Sequence, residues 1–251
     1  MKAKDRRGLI AGVIRDSGQL TVEELARRFS VSPETIRRDL SLLAEQGVLQ
    51  KIHGGAKRLR LHQEGSFDER LATNAAAKSE IARKLAGLLQ PGDTIFLDTG
   101  STTLACAEEI AFVADLTVIT NSVAIARALG YRARGARVFL LGGEYSPSNA
   151  QTVGPLVIRQ LGAFQADYAV LTVTALDPAV GAMDSNIDEA QVARAMIDAA
   201  RQVVVLADQS KLGKTAGFRV CRTGEIDMLL TDQPPAPPIT RALEDAGVVV
   251  R

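Results

Sequence analysis

Residues 21–56 read TVEELARRFSVSPETIRRDLSLLAEQGVLQKIHGGA, and the fold of the first sixty residues follows from how that string is punctuated. Thr21 and Glu24 stand three apart ahead of an apolar run. At that spacing a hydroxyl and a carboxylate each satisfy an amide left over at a helix start, so a helix begins at Val22. Val22, Leu25, Ala26 and Phe29 fall on one face of it. Ser30, Val31 and Ser32 make a tight turn. Ser32 then serves as an N-cap, and Pro33 takes the first helical position, where no amide is needed. Ile36, Leu40 and Leu43 follow at core spacing and leave Glu34, Arg37, Arg38 and Ser41 on the opposite face, with Thr35 near the exposed N-terminal end. Upstream, Leu9, Ile10, Val13 and Ile14 define a first helix that stops near Ser17 and Gly18.

Two short helices around a tight turn, the second one basic near its start, form a helix-turn-helix over about residues 20–39. The second helix of such a motif enters the major groove with its N-terminal side chains facing base edges. That places Ser32, Thr35 and Arg38 near bases or sugars and Arg37 partly on phosphate. Residues 48–55 alternate and end in Gly54 and Gly55, a short hairpin or wing that carries Lys51 and His53 toward the backbone or minor groove. His53 reads equally well as a turn residue beside two glycines. The DNA-facing set is therefore Thr21, Ser32, Thr35, Arg37, Arg38, Ser41, Lys51, His53 and Gly54. The string from Thr35 to Leu40, followed by His53, Gly54 and Gly55, closely resembles the winged helix-turn-helix of DeoR-type bacterial transcription regulators.

Charge supports this reading. Residues 1–62 carry 13 Lys and Arg against 7 Asp and Glu, whereas the other 189 carry 17 against 22, so a basic head precedes an acidic body inside a net charge of +1. A hydrophobic fraction of 46% and 24% charged residues exclude wholesale disorder. No run of about 20 apolar residues calls for a membrane span. Cys106 and Cys221 are too few for a disulfide framework and fit a reducing cytosol, and His53 and His62 are too few for a histidine-rich metal site, so a cytoplasmic protein without metal or cofactor is expected.

The boundaries predicted are a DNA-binding domain over 1–57, a polar linker over 58–75 and a second domain over 76–251. In the last, helical segments (76–89, 102–111, 122–129, 153–161, 189–200) alternate with short apolar runs (94–97, 116–120, 137–141, 168–173, 203–207, 228–230). The runs lack alternation, as buried parallel strands do, so an α/β domain with helices on both faces of the sheet is expected. Ligands of such sheets sit outside the carboxyl ends of the strands. Asp98, Thr99, Gly100, Ser101, Thr102 and Thr103 leave one strand and open a helix, an arrangement suited to phosphate. Thr120 and Asn121, then Gly142, Gly143 and Glu144, and then Asp208 to Lys211 end other strands, and together they could converge on one small anion. Each also has a plainer reading, Gly100 to Thr103 as a helix cap, Gly142 and Gly143 as a turn, Lys211 as a surface lysine, Glu189 as a first-turn acid.

The second half also resembles the DeoR family, in residues 95–103, 118–122, 141–143 and 205–213. The resemblance implies an effector domain similar in fold to ribose-5-phosphate isomerases, binding a phosphorylated sugar or polyol. It maps a phosphate loop to Thr99–Thr103 and sets Asp98, Asn121, Glu189, Asp208 and Lys211 toward the polyol or in support. Thr172 to Leu176 depart from the small residues usual there and should narrow or reshape the pocket. Residues 181–184 and 231–235 look most like the glycerol-3-phosphate regulon repressors, which makes glycerol-3-phosphate a candidate effector. The expected function is a transcription regulator, by family habit a repressor, that binds double-stranded operator DNA as a homo-oligomer, a dimer or tetramer. Two other readings stand beside it. One is a sugar-phosphate isomerase with an accessory DNA-binding head. The other is a DNA-binding protein whose α/β half only oligomerises.

Overall fold

In a computed structural model, which describes residues 3–45, 48–52, 54–58, 65–132 and 135–251, the chain divides into two compact units, Met1–Arg60 and Leu61–Arg251. The first unit is organised as its punctuation predicts. Helix α1 (Ala3–Ser17) ends where Gly18 turns left-handed, and a short strand β1 (Gln19–Thr21) leads into α2 (Val22–Phe29). The Thr21 hydroxyl accepts from the Glu24 amide at 3.2 Å while the Glu24 carboxylate accepts from the Thr21 amide at 2.7 Å, completing the capping box. Ser30 closes α2 at φ 52, and α3 (Pro33–Glu45) starts under a 3.2 Å bond from the Thr35 amide to Ser32 Oγ. Ile10, Ile14, Leu25, Ile36, Leu40 and Leu43 meet in one core.

The wing is larger than the alternation of 48–55 suggests. Strand β2 (Leu49–Ile52) is answered by β3 (Gly55–Arg58), and β1 completes a three-stranded antiparallel sheet in the order β1-β3-β2. The return strand therefore lies beyond the glycine pair and crosses the boundary expected at residue 57. Gly55 makes this possible, because a Cβ there would collide with the Leu20 carbonyl and Thr21 Cα. A three-residue strand such as β1 is too short to show a period, which is why pattern alone does not find it.

In the second unit, α4 (Phe67–Ala72) and α5 (Ala75–Leu88) precede β4 (Thr94–Leu97), α6 (Ser101–Ile110), β5 (Thr117–Thr120), α7 (Val123–Arg132) and β6 (Arg137–Leu140). An antiparallel pair follows, β7 (Glu144–Ser146) and β8 (Gln151–Val153), then α8 (Pro155–Leu161) and β9 (Ala166–Thr172). Next come β10 (Ala175–Asp177), β11 (Gly181–Asp184), α9 (Ile187–Asp198), β12 (Ala200–Leu206) and β13 (Phe218–Cys221). The unit closes with β14 (Met228–Leu230), α10 (Pro237–Asp245) and β15 (Val249–Val250). Seven strands form one parallel sheet in the order β15-β14-β12-β9-β4-β5-β6, and β10, β11 and β13 form a small antiparallel sheet.

Each central strand is buried on both faces. Ile95, Leu97, Val118, Val170, Val204 and Leu206 pack with Ile81 and Leu85 of α5 and Ile110 of α6, while Phe96, Ile119, Leu171 and Val205 pack with Val157 of α8, Met196 of α9 and Leu243 of α10. That two-sided burial explains the unalternating apolar runs, and the expected winged helix-turn-helix followed by an α/β unit is the fold observed. Among the described residues no helix is long and apolar enough to cross a membrane.

Two departures matter for the site. The stretch expected as a linker, 58–75, contains α4, opened by a capping box between Ser66 and Glu69. The loop after β6 contains β7, β8 and a 3₁₀ turn at Pro147–Asn149. From β4 the chain winds outward through β5 to β6, whereas β9 begins the half that winds the other way through β12 and β14. The sheet's switch point thus lies between β4 and β9, the place where open α/β sheets leave a crevice.

Candidate functional site

The first unit presents a polar surface on α3. Arg37 and Arg38 are exposed, each within 3.6 Å of Glu34, and Ser32 Oγ lies 2.9 Å from Thr35 Oγ1. Lys51 Nζ on β2 donates to Ser41 Oγ at 3.0 Å, which joins the wing to the same face of α3. Thr21 is occupied as a cap, and Gly54 takes φ 73 in the wing turn. His53 lies outside the described residues. Asp39, inside the same string, belongs to the core instead: it is nearly buried and pairs with Arg6 at 2.6 Å, tying α3 to α1.

In the second unit the switch point is built by close approach. A Cβ on Gly100 would stand 2.5 Å from Thr172 Oγ1, so only glycine lets the β4 loop reach β9, and Thr172 Oγ1 donates to the Thr99 carbonyl at 3.1 Å. Gly100 caps α6 without a side chain, which leaves its first-turn amides for another acceptor. Beside this lies a cavity of about 460 Å³ lined by Ser101, Arg70, Lys78, Asn74, Asp208 and Lys211, among others. Lys211 Nζ donates to the Val173 carbonyl at 2.5 Å, and Asp208 accepts from the Ser210 amide at 2.9 Å. Because β4, β9 and β12 are neighbours in the sheet, their carboxyl ends bring Ser101, Thr172 and Asp208 together.

Below the loop runs a buried polar network. Glu189 accepts from Asn149 Nδ2 at 2.7 Å and Gln151 Nε2 at 2.9 Å, Gln151 Oε1 accepts from Asn121 Nδ2 at 3.3 Å, and Arg70 Nη2 donates to Asn149 Oδ1 at 2.5 Å. Burial, then the charge of Asp184, pushes the Glu189 carboxyl up to about 7. Burial, then Glu189 and Asp184, holds Asp98 well above the usual carboxylate range. Asp98 Oδ1 and Asn121 Oδ1 are buried without a hydrogen-bond partner among the described residues, an arrangement that costs free energy. Both shifts favour the neutral carboxyl, which can donate as well as accept a hydrogen bond toward hydroxyl groups.

Not every predicted residue reaches the cavity. Gly142 and Gly143 follow β6 at the sheet's edge. The Gly142 amide and carbonyl are both taken by the Gln160 side chain, at 3.1 and 2.6 Å, and a Cβ on Gly143 would stand 2.7 Å from the Val153 carbonyl. These glycines serve packing because β5 stands between β6 and the switch point. Thr102 and Thr103 are buried in α6, where Thr103 Oγ1 donates to the Gly100 carbonyl at 3.1 Å, and the Thr99 side chain points to the Asn149 carbonyl.

A family model described as a DeoR-like helix-turn-helix domain matches residues 6–60, and one described as a DeoR C terminal sensor domain matches residues 73–233. The chain belongs to the DeoR family. Over 245 residues it is 31% identical to the glycerol-3-phosphate regulon repressor of Escherichia coli (strain K12), covering 98% of this chain and 97% of that one. It is 34% identical to the HTH-type transcriptional repressor GlcR of Bacillus subtilis (strain 168) over 99% of this chain and 95% of that one. It is also similar to a solved ribose 5-phosphate isomerase A of Methanocaldococcus jannaschii, at 18% identity and a TM-score of 0.41 over 56% of this chain and 55% of that one. That likeness is loose and adds nothing to the topology above.

Sequence reasoning did not single out Arg70, Asn74 and Lys78, which line the cavity, Asn149 and Gln151, which hold Glu189, or Asp184, whose charge acts on Asp98 and Glu189. For Arg70 and Asn74 a signal existed, since Ser66 and Glu69 are a capping box that announces a helix inside the supposed linker, whereas Lys78 lies in the helix already expected at 76–89. For Asn149 and Gln151 there was none, because they sit in a 3₁₀ turn and a three-residue strand.

Proposed function

We propose that the chain is a DNA-binding transcriptional repressor whose head reads operator DNA and whose α/β unit binds a phosphorylated sugar or polyol that releases it. The observation that carries the reading is the face of α3, where exposed Arg37 and Arg38 stand with Ser32 and Thr35 on a capped helix braced by a wing. In this assignment Ser32, Thr35 and Arg38 meet bases or sugars, and Arg37, Ser41, Lys51, Thr21 and the wing at His53 and Gly54 meet backbone.

The effector is assigned to the crevice beside β4. Ser101 and the α6 amides, with Arg70, Lys78 and Lys211, face the phosphate; Asp98, Asn121 and Glu189 support the hydroxyl end. That both relatives are named repressors favours repression over activation, and the name of the first makes glycerol-3-phosphate the first ligand to try. The head, as a reader of paired half-sites, acts in a homodimer or a tetramer.

The test is selection of binding sites from a random duplex library by the full chain, followed by titration of the selected DNA with phosphorylated polyols. Paired half-sites released by one such ligand are expected. Selection of no sequence, or sites that no phosphorylated ligand releases, refutes the corresponding half of the proposal. A coupled isomerase assay on pentose and hexose phosphates is expected to show no turnover.

A further inference from the structure

Helix α4 is held to its unit in an unusual way. None of its 6 residues is fully buried, Leu71 is exposed and Phe67 is only half-buried, so little apolar surface anchors it. Its attachments are polar. Arg70 donates to Asn149, the buried Lys78 ammonium donates to the carbonyls of Arg70 and, at 2.6 Å, Thr73, and Asn74, left-handed at φ 55, donates to Asp208 at 3.3 Å. Arg70, Thr73, Asn74, Lys78 and Asp208 also line the cavity. The anchors of the helix and the walls of the cavity are the same groups.

A helix docked with little apolar burial opens at a free energy set largely by a few charge-assisted bonds. Arg70, Lys78 and Lys211 bring three cationic side chains to a cavity that Glu69 and Asp208 also line, and an anion there would be attracted to all three cations. The anion gains its bond to Arg70 only while α4 is docked, so it binds the docked state more tightly and shifts the population toward it. Resting on the reading of the cavity as a phosphate site, we infer that α4 is a latch that reports occupancy: Arg70 is a ligand contact, and the bound phosphate locks α4 onto the α/β unit. Arg70 precedes the stretch matched as the sensor domain, and α4 is the first element of the second unit among the described residues.

Hydrogen exchange on the full chain, read by mass spectrometry beside calorimetry, tests this with inorganic phosphate and glycerol-3-phosphate as probes. Bound anion is expected to slow amide exchange over residues 65–74 by about tenfold, the scale of one charge-assisted bond, while α10 is unchanged. Arg70→Gln should bind more weakly and lose the slowing, and Arg70→Lys should restore part of it. Binding by calorimetry with exchange over 65–74 unaltered, or slowing retained in Arg70→Gln, overturns the latch and leaves the phosphate site standing. No binding of either probe overturns both.

Discussion

The head and the α/β unit hold their chemistry in opposite ways. In the head, the residues that matter lie within one continuous stretch, and each is exposed by a helix whose start, turn and core face are set by near neighbours in sequence. In the α/β unit the cavity draws on Arg70, Ser101 and Lys211, with Thr172 and Glu189 beside or below it, and these meet only because of the order in which strands join the sheet. The first kind of site tolerates being read locally. The second depends on the whole sheet, and on polar groups buried at a cost in stability.

The largest expected effect tests the head. Arg38→Glu should weaken operator binding by at least about a hundredfold, since a lost base contact costs about 1–3 kcal/mol and the new charge faces phosphate. Effector binding, measured by calorimetry, should be unchanged. Normal operator affinity in this variant would remove α3 from the interface and end the contrast drawn above.

Next in size is a change in the core of the head. Leu25 is fully buried under α3, and Leu25→Ala should cost the head about 2–5 kcal/mol. Calorimetric unfolding should show a lowered first transition with the second one, belonging to the α/β unit, in place. A single transition lowered as a whole would show that the two units unfold together.

The buried acids give a pH test. Glu189 titrates at about 7 against an ordinary 4.5. Between those values the native state keeps a proton that the unfolded chain has released, so stability falls as pH rises through the window and levels off above it. The Glu189 share is about 3 kcal/mol at most, and Asp98 works in the same direction. Glu189→Gln keeps an accepting oxygen for Asn149 and Gln151 and removes the charge. Its thermal midpoint should vary less than the parent's between about pH 5 and pH 8, and should exceed it at the upper end. A profile as steep as the parent's would mean that the network below the loop is solvated.

What could be read in advance follows the same contrast. The capping box at Thr21, the turn at Ser30 and the strands β4, β5, β9 and β12 announce themselves by short-range pattern or by apolar runs buried on both faces. Strands β1, β7, β8, β10, β11 and β13 carry 3 or 4 residues each, too few for a period, and β1 and β13 are held by partners distant in sequence. The polar residues at the strand ends are legible in the sequence, but which of them meet is decided by strand order. That is why Ser101, Asp208 and Lys211 line one cavity while Gly142 does not join them.

The smallest expected effect comes from comparing two glycines that look alike in sequence, each following a strand and opening a loop. At Gly100 an added methyl meets the Thr172 side chain at the switch point, so Gly100→Ala must displace that side chain or part β9 from the loop after β4. Overpacking of that kind costs about 1–3 kcal/mol, and effector affinity should fall about tenfold. At Gly142 the nearest atom to an added methyl is 3.8 Å away, and both backbone polar groups are already paired with Gln160. Gly142→Ala should therefore leave effector affinity within about twofold of the parent, as an uncrowded substitution outside a site does. Calorimetric titration of the two variants with the same ligand separates the possibilities. If Gly142→Ala costs as much as Gly100→Ala, the ligand extends past β5 to the sheet's edge, and the crevice between β4 and β9 is only part of its seat.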